Sequence, residues 1–281
     1  MTRAGEEGYA LVAAVASIAV FAAMALLVLS ATRMGIEDAR AEQGRLQAGA
    51  AADAGIAIAL SNLLANDDVQ RWTADARVRR LTFGQAALRI RVVDERGKVP
   101  IGAMNEGQAT RLLEQAGLSG DRLLIARDSL LDWIDNDRDT RPFGAEADYY
   151  QAAGVVPPGS TLTSVEELGL IRGFDAATVA RLKPFVTVFT IMSGFDDKYA
   201  DPRAIAVMSK AGAGDPTAIQ RSRERAGQRT ALAFVSTGDL FNRPLSIEVD
   251  ADLPDGAHAR RHAVVELTGA SARPYLVRAY E

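Results

Sequence analysis

From Tyr9 to Ala31 the chain reads YALVAAVASIAVFAAMALLVLSA, without one charged residue. Roughly 23 residues rising about 1.5 Å each reach about 35 Å as a helix, enough for the hydrocarbon core of a bilayer. The next stretch decides the kind of span. From Arg33 to Ala65, RMGIEDARAEQGRLQAGAAADAGIAIALSNLLA is rich in Ala, Leu, Glu, Gln and Arg, carries no proline and spaces its polar residues, so helical character continues. A secretory signal peptide would instead end after an apolar core of about 7 to 15 residues and a small-residue cleavage site. The expectation is one long amphipathic helix from Tyr9 to Ala65, about 85 Å if unbroken. Gly35, Gly44, Gly49 and Gly55 each cost about 1 kcal/mol against Ala and weigh against continuity. In a packed assembly they would permit close helix approach.

Composition narrows the function classes. The 281 residues are 48% hydrophobic, which supplies one or two globular domains and excludes a disordered chain. A net charge of −4 lacks the concentrated positive charge that phosphate neutralisation requires, so no nucleic-acid partner is expected. Absence of cysteine removes disulfides, thiol nucleophiles and thiolate metal sites together. His258 and His262 are the only histidines, a short inventory for a triad or a histidine metal site. No enzyme is expected.

Beyond the N-terminal helix the hydrophobic period changes twice. LTFGQAALRIRVVDE, from Leu81 to Glu95, alternates around Leu88, Ile90 and Val92 and predicts the first half-buried strand. After Pro100 the period is helical. Asn105 is placed to cap a helix carrying Ala109, Leu112, Leu113 and Ala116 that ends at Gly117, and Asp128 to cap SLLDWI. ALAFVSTG, RPLSIEVDA, RRHAVVELTG and RPYLVRAY then read as strands, with turns at Gly238, Pro254-Asp255-Gly256 and Gly269. Strand patterns on both sides of a helical block predict an α+β fold: a sheet packed on the N-terminal helix, with a large inserted all-α subdomain.

The sharpest chemical pattern is acidic. Asp135, Asp137, Asp139 and Glu146 stand at D-x-D-x-D-x6-E, close to the spacing by which an EF-hand loop wraps calcium in carboxylate oxygens. Thr140 replaces the glycine that such a loop needs at its sharp turn, and Pro142 stiffens the middle, so a looser calcium loop is expected. The alternative is a solvated loop pinned by Arg138 and Arg141. Asp196, Asp197 and Asp201 form a weaker acidic group. The segment VEELGLIRGFDAATVARL, from Val165 to Leu182, resembles a helix-hairpin-helix. Its Arg172, Arg181 and nearby Lys183 are opposed by Glu166, Glu167 and Asp175, which leaves little attraction for phosphate. Leu168, Ile171, Val179 and Leu182 read as core, and Trp72 and Trp133 as packing anchors.

Before the apolar span stands MTRAGEEG. A glycine followed by an aromatic residue and an apolar helix resembles the type IV prepilin processing site. That resemblance implies cleavage by prepilin peptidase between Gly8 and Tyr9, and methylation of Tyr9 as the new N-terminus. Ala13 occupies the fifth mature position, where most pilins carry glutamate; the absence of that glutamate is a feature of K-type minor pseudopilins. The leader departs from the usual pattern, since Glu6 and Glu7 precede the glycine and Arg3 is its one basic residue. Three further blocks resemble the same family: DERGKVPIGAMNEGQATRLLEQAGL from Asp94, DSLLDWIDNDRDTRPFGAEADYYQAAG from Asp128, and LTSVEELGLIRGFDAATVARLKPFVTVF from Leu162.

The chain is thus similar to the type II secretion system minor pseudopilin K family. The resemblance implies a leader over 1–8, a transmembrane half-helix over 9–31, a periplasmic half over 32–66, a pilin-like sheet over 67–99 and 191–281, and the inserted helical subdomain over 100–190. It implies an inner-membrane protein with a cytoplasmic N-terminus and a periplasmic head. Its implied partners are I- and J-type minor pseudopilins, the major pseudopilin, the inner-membrane assembly platform, prepilin peptidase and secreted substrates. The implied role is nucleation of the pseudopilus from its tip. A membrane-anchored envelope hydrolase or binding protein is the alternative.

Overall fold

In a computed structural model, residues 6–67, 70–209 and 240–281 are described. The expected strand ALAFVSTG and its turn at Gly238 lie outside them. Helix α1 runs unbroken from Glu6–Leu63, 58 residues in all, so the glycines do not interrupt it. Its residues Ala48, Ala51, Ala52, Ile56, Ala59, Leu60 and Leu63 are buried. Their three-and-four spacing makes one stripe, and that stripe lies on the sheet. Among the described side chains from 12 to 43, all are exposed, so this half of the helix stands clear of the rest of the molecule. Among the described residues no helix is long and apolar enough to cross a membrane; the side chains at 9–11, 28 and 30–31 are outside that description.

Gly44, Gly49 and Gly55 of α1 are buried and face the sheet side of the molecule. A Cβ at Gly55 would lie 2.6 Å from Val249 Cγ1, and one at Gly44 would lie 2.9 Å from the Ala257 Cβ. Close approach is therefore used within the molecule, where helix meets sheet.

The sheet has five antiparallel strands: β1 (Asp75–Phe83), β2 (Ala86–Asp94), β5 (Pro244–Asp252), β6 (His258–Ala270) and β7 (Arg273–Tyr280), in the order β1-β2-β5-β6-β7. The stretch expected as one strand from Leu81 to Glu95 is instead the turn and second limb of a hairpin. Gly84, at φ 59°, supplies the left-handed turn residue, and the sheet begins at Asp75. Gly269, expected as a turn, lies inside β6 at φ 71°, where the pairing with β7 shifts register. β2 alternates buried and exposed residues, and Leu88, Ile90 and Val92 meet α1 across Leu245, Ile247, Val249 and Ala251 of β5.

Between β2 and β5 the chain leaves the sheet. A short parallel pair, β3 (Val99–Pro100) with β4 (Val186–Thr187), closes the neck of the insertion. Within it lie α2 (Glu106–Gln115), α3 (Gly120–Ile134), α4 (Ala147–Tyr150) and α5 (Ala176–Leu182). Asn105 caps α2 as expected, in a reciprocal capping box with Gln108. Asp128 does not cap a helix. It is a buried residue in the middle of α3, which starts eight residues earlier at Gly120 behind Ser119. The expected boundary at 190 falls short, because α6 (Pro202–Met208) places Ala204, Ile205 and Val207 in the core of the helical block. That core is separate from the one shared by α1 and the sheet.

Candidate functional site

Asp128 and Asp132 lie one turn apart on the same face of α3, and Asp135 caps its C-terminal end. Asp128 and Asp132 are buried, so each must find donors or hold its charge at a large cost. The loop after α3 supplies those donors. Phe143 N donates to Asp128 Oδ2 at 3.2 Å, beside the Arg127 guanidinium. Arg141 donates to Asp132 from its backbone N, and its Nη1 lies 2.5 Å from Asp132 Oδ1 and 2.6 Å from Asp135 Oδ2. The loop from Asp135 to Glu146 is thus wound onto a buried acidic stripe. Gly144 is where it comes closest, since a Cβ there would lie 1.9 Å from Asp132 Oδ2.

The far end of the loop is anchored by aromatic packing. Trp133 is buried as expected; its Nε1 donates to Glu167 Oε1 at 2.9 Å, and Tyr150 of α4 meets it edge-on at 5.0 Å. Arg172 N donates to the Tyr150 hydroxyl and Arg172 Nη1 to the Gly144 carbonyl. The signature LLDWIDNDRDTRPFGAEADYY therefore encodes one built loop. Aspartates at helical spacing seat it, an arginine bridges it, and two aromatic rings fix its exit.

This arrangement brings together Asp135, Asp137 and Glu146. One oxygen from each lies within 4.8 Å of the others. Oxygens bound to one calcium at about 2.3 to 2.6 Å can be at most about 5.2 Å apart, so the three fit around a single ion. Asp139, expected with them, is not in the group. Asp137 Oδ1 accepts from Asp139 N at 2.9 Å, and after that tight turn the Asp139 side chain is exposed. Asp135 Oδ1 and Glu146 Oε1 are shielded from solvent and have no hydrogen-bond partner, an arrangement that a cation or water would satisfy. Burial, followed by the charges of Asp132, Asp135 and Asp137, raises the Glu146 pKa. An all-oxygen, anionic donor set suits a hard divalent cation.

The remaining acidic residues take structural positions. Asp196 accepts from Lys198 N, and Asp201 caps α6, accepting from Arg203 N. Among the described residues no second group of three potential metal ligands forms. In the hairpin-like segment, Glu166–Leu170 is a short 3-10 turn rather than a full helix. Leu168, Ile171 and Leu182 are core, while Lys183 is engaged with Glu166 at 2.5 Å.

Residues 90–190, which contain this loop, match the family model for the type II secretion system (T2SS), protein K. That stretch is similar to type II secretion system protein K. Its similarity to "Type II secretion system protein K" of Klebsiella pneumoniae is 36% identity over 110 residues, 38% of this chain and 34% of that protein. With the protein of the same description from Dickeya chrysanthemi it shares 39% over 64 residues, 23% of this chain and 18% of the relative. The aligned region thus spans about a third or less of each curated relative. The fold is also that of a chain in the crystal structure of the GspK-GspI-GspJ complex from enterotoxigenic Escherichia coli. That match has TM-score 0.61 at 16% identity and covers 86% of this chain and 98% of the other.

The matched stretch runs from within β2 through the neck and most of the insertion, stopping short of α6, while the structural likeness covers 86% of the chain. The α+β expectation and the family resemblance hold. Sequence reasoning missed Asp128 and Asp132 as parts of the site; their i, i+4 spacing on the helix that leads into Asp135 was the available signal.

Proposed function

We propose that this chain is a minor pseudopilin at the tip of a type II secretion pseudopilus, where it nucleates the filament with I- and J-type partners. The observation that carries the reading is the free half of α1 attached to a head that includes the stretch similar to protein K. Val12, Val15, Ile18, Phe21, Leu26 and Leu27 are all more than half exposed, and such a surface is stable only in lipid or against other helices. The uncharged stretch from Tyr9 to Ala31 anchors the chain in the inner membrane before assembly, with the head on the periplasmic side. Prepilin peptidase cuts between Gly8 and Tyr9. Ala13 suits the tip, because a buried glutamate there would need the N-terminal amine of a preceding subunit as its partner. The major pseudopilin then adds beneath, and the helical block faces secreted substrates.

Calcium is proposed as a structural cofactor, held by one oxygen each from Asp135, Asp137 and Glu146, with carbonyl or water oxygens completing the shell. It would neutralise their mutual repulsion and fix the loop. Two measurements test the assignment. The full chain, co-expressed with I- and J-type partners, should co-purify with them and carry Tyr9 as its mature N-terminus by mass; absence of any complex would reject the tip role. Calorimetric titration should show stoichiometric calcium uptake that Asp137→Ala abolishes, and no heat with an unchanged melting temperature would reject the ion.

A further inference from the structure

We propose that Arg141 is a positioning residue of the calcium site, holding one oxygen of Asp135 so that the other is presented to the ion. This role rests on the assignment of calcium to the loop. Asp135 divides its oxygens. Oδ2 lies 2.6 Å from Arg141 Nη1, whereas Oδ1 is shielded from solvent and has no hydrogen-bond partner. The same Nη1 lies 2.5 Å from Asp132 Oδ1, and Asp132 is buried in α3. Arg141 is therefore fixed from behind by a carboxylate that cannot withdraw, and its own backbone N donates to that carboxylate as well. Burial opposes its charge, but hydrogen bonds to Asp132 and Asp135 hold its pKa above the ordinary guanidinium value.

A bare cluster of Asp132, Asp135, Asp137 and Glu146 would push its carboxylates apart. Arg141 removes that repulsion on the α3 side alone, and leaves one oxygen each from Asp135, Asp137 and Glu146 to converge within 4.8 Å. Groups that hold a ligand's second oxygen govern metal affinity by about 10- to 100-fold. A lysine at this position would keep the charge and the backbone N–H to Asp132, but not the rigid planar guanidinium that sets one Nη1 between Asp132 and Asp135.

The opposite role is a tethered competitor, an internal cation that the metal must displace. The two roles predict opposite signs. Calcium titrated calorimetrically into the full chain in detergent should bind Arg141→Gln at least about 10-fold more weakly than wild type. Arg141→Lys should fall between them. Unchanged or tighter binding by Arg141→Gln overturns the proposal, and so does Arg141→Lys binding as tightly as wild type. Melting temperatures in chelator verify that each variant is folded; if Arg141→Gln does not fold, the lysine comparison decides alone. Failure of wild type to bind calcium rejects the metal reading itself, whereas an effect absent only in the variants rejects the role of Arg141.

Discussion

Gly144 has no room for a side chain. An alanine Cβ would stand 1.9 Å from Asp132 Oδ2 and 2.8 Å from its Cγ, and Asp132 is pinned by Arg141 rather than free to swing away. Gly144→Ala is expected to lift the loop and destabilise the chain by about 1–3 kcal/mol, with weaker calcium uptake, measured by urea unfolding and calorimetry. An unchanged unfolding midpoint would show that the loop does not depend on this contact. At this scale the sequence was legible in part. Alternating aspartates mark an ion loop, but spacing alone does not say which carboxylates converge, so Asp139 looked equivalent to Asp135 and Asp137. The turn closed by Asp139 N on Asp137 separates them. Asp128 and Asp132 were harder to see because acids inside an apolar helical run read as caps or as a solvated face; their purpose depends on backbone donors at Arg141 and Phe143, brought back by the loop.

At the scale of elements, α1 was the most legible because its composition favours helix from end to end. What the pattern could not provide was the direction its glycines face. Gly55 lies against Val249 of β5, where a Cβ would come within 2.6 Å of one methyl and 3.3 Å of the other. Gly49 meets only the tip of Arg261, at 3.3 Å. Replacing glycine with alanine inside a helix gains about 1 kcal/mol in propensity, while crowding a well-packed contact costs about 1–3 kcal/mol. Gly49→Ala should therefore leave stability unchanged or raise it slightly, because the arginine tip can give way. Gly55→Ala should lower it, because β5 is fixed between β2 and β6. Chemical denaturation of the two variants side by side checks this; equal gains in both would mean that α1 can ride outward from the sheet. The hairpin β1–β2 was read as one strand for a similar reason. Leu81 to Glu95 alternates on both sides of Gly84, and periodicity does not reveal that the chain has reversed.

On the scale of the whole molecule, the insertion was legible as a change of period, but its limits were not. β2 and β5 become neighbours only after the helical block is complete, and α6 joins that block from beyond the neck, through apolar contacts with no local signature. Because one core joins α1 from about Ala48 onward to the sheet and the other lies within the helical block, the exposed half of α1 carries no fold. A chain starting at Glu37 should melt at the same temperature as the full-length protein in detergent, and a clear drop would show that the free half stabilises the head. Where the two blocks meet, a cleft of about 560 Å³ is lined by Glu95, Lys98, Lys183, Glu248, Arg260, His262 and Glu281 among others. His262 Nε2 lies 3.3 Å from the buried Ser246 Oγ, which also donates to Glu95. Burial, and next the charge of Lys98, lower the His262 pKa below its ordinary value of 6.5, against the opposing pull of Glu95, Glu248 and Glu281. Between that depressed value and 6.5 the unfolded chain binds a proton that the folded chain refuses. His262 therefore contributes a loss of stability as pH falls through this window and none above it. His262→Gln should flatten the acid side of the curve of unfolding midpoint against pH. Parallel curves for variant and wild type would show that the joint between the blocks admits the imidazolium without penalty.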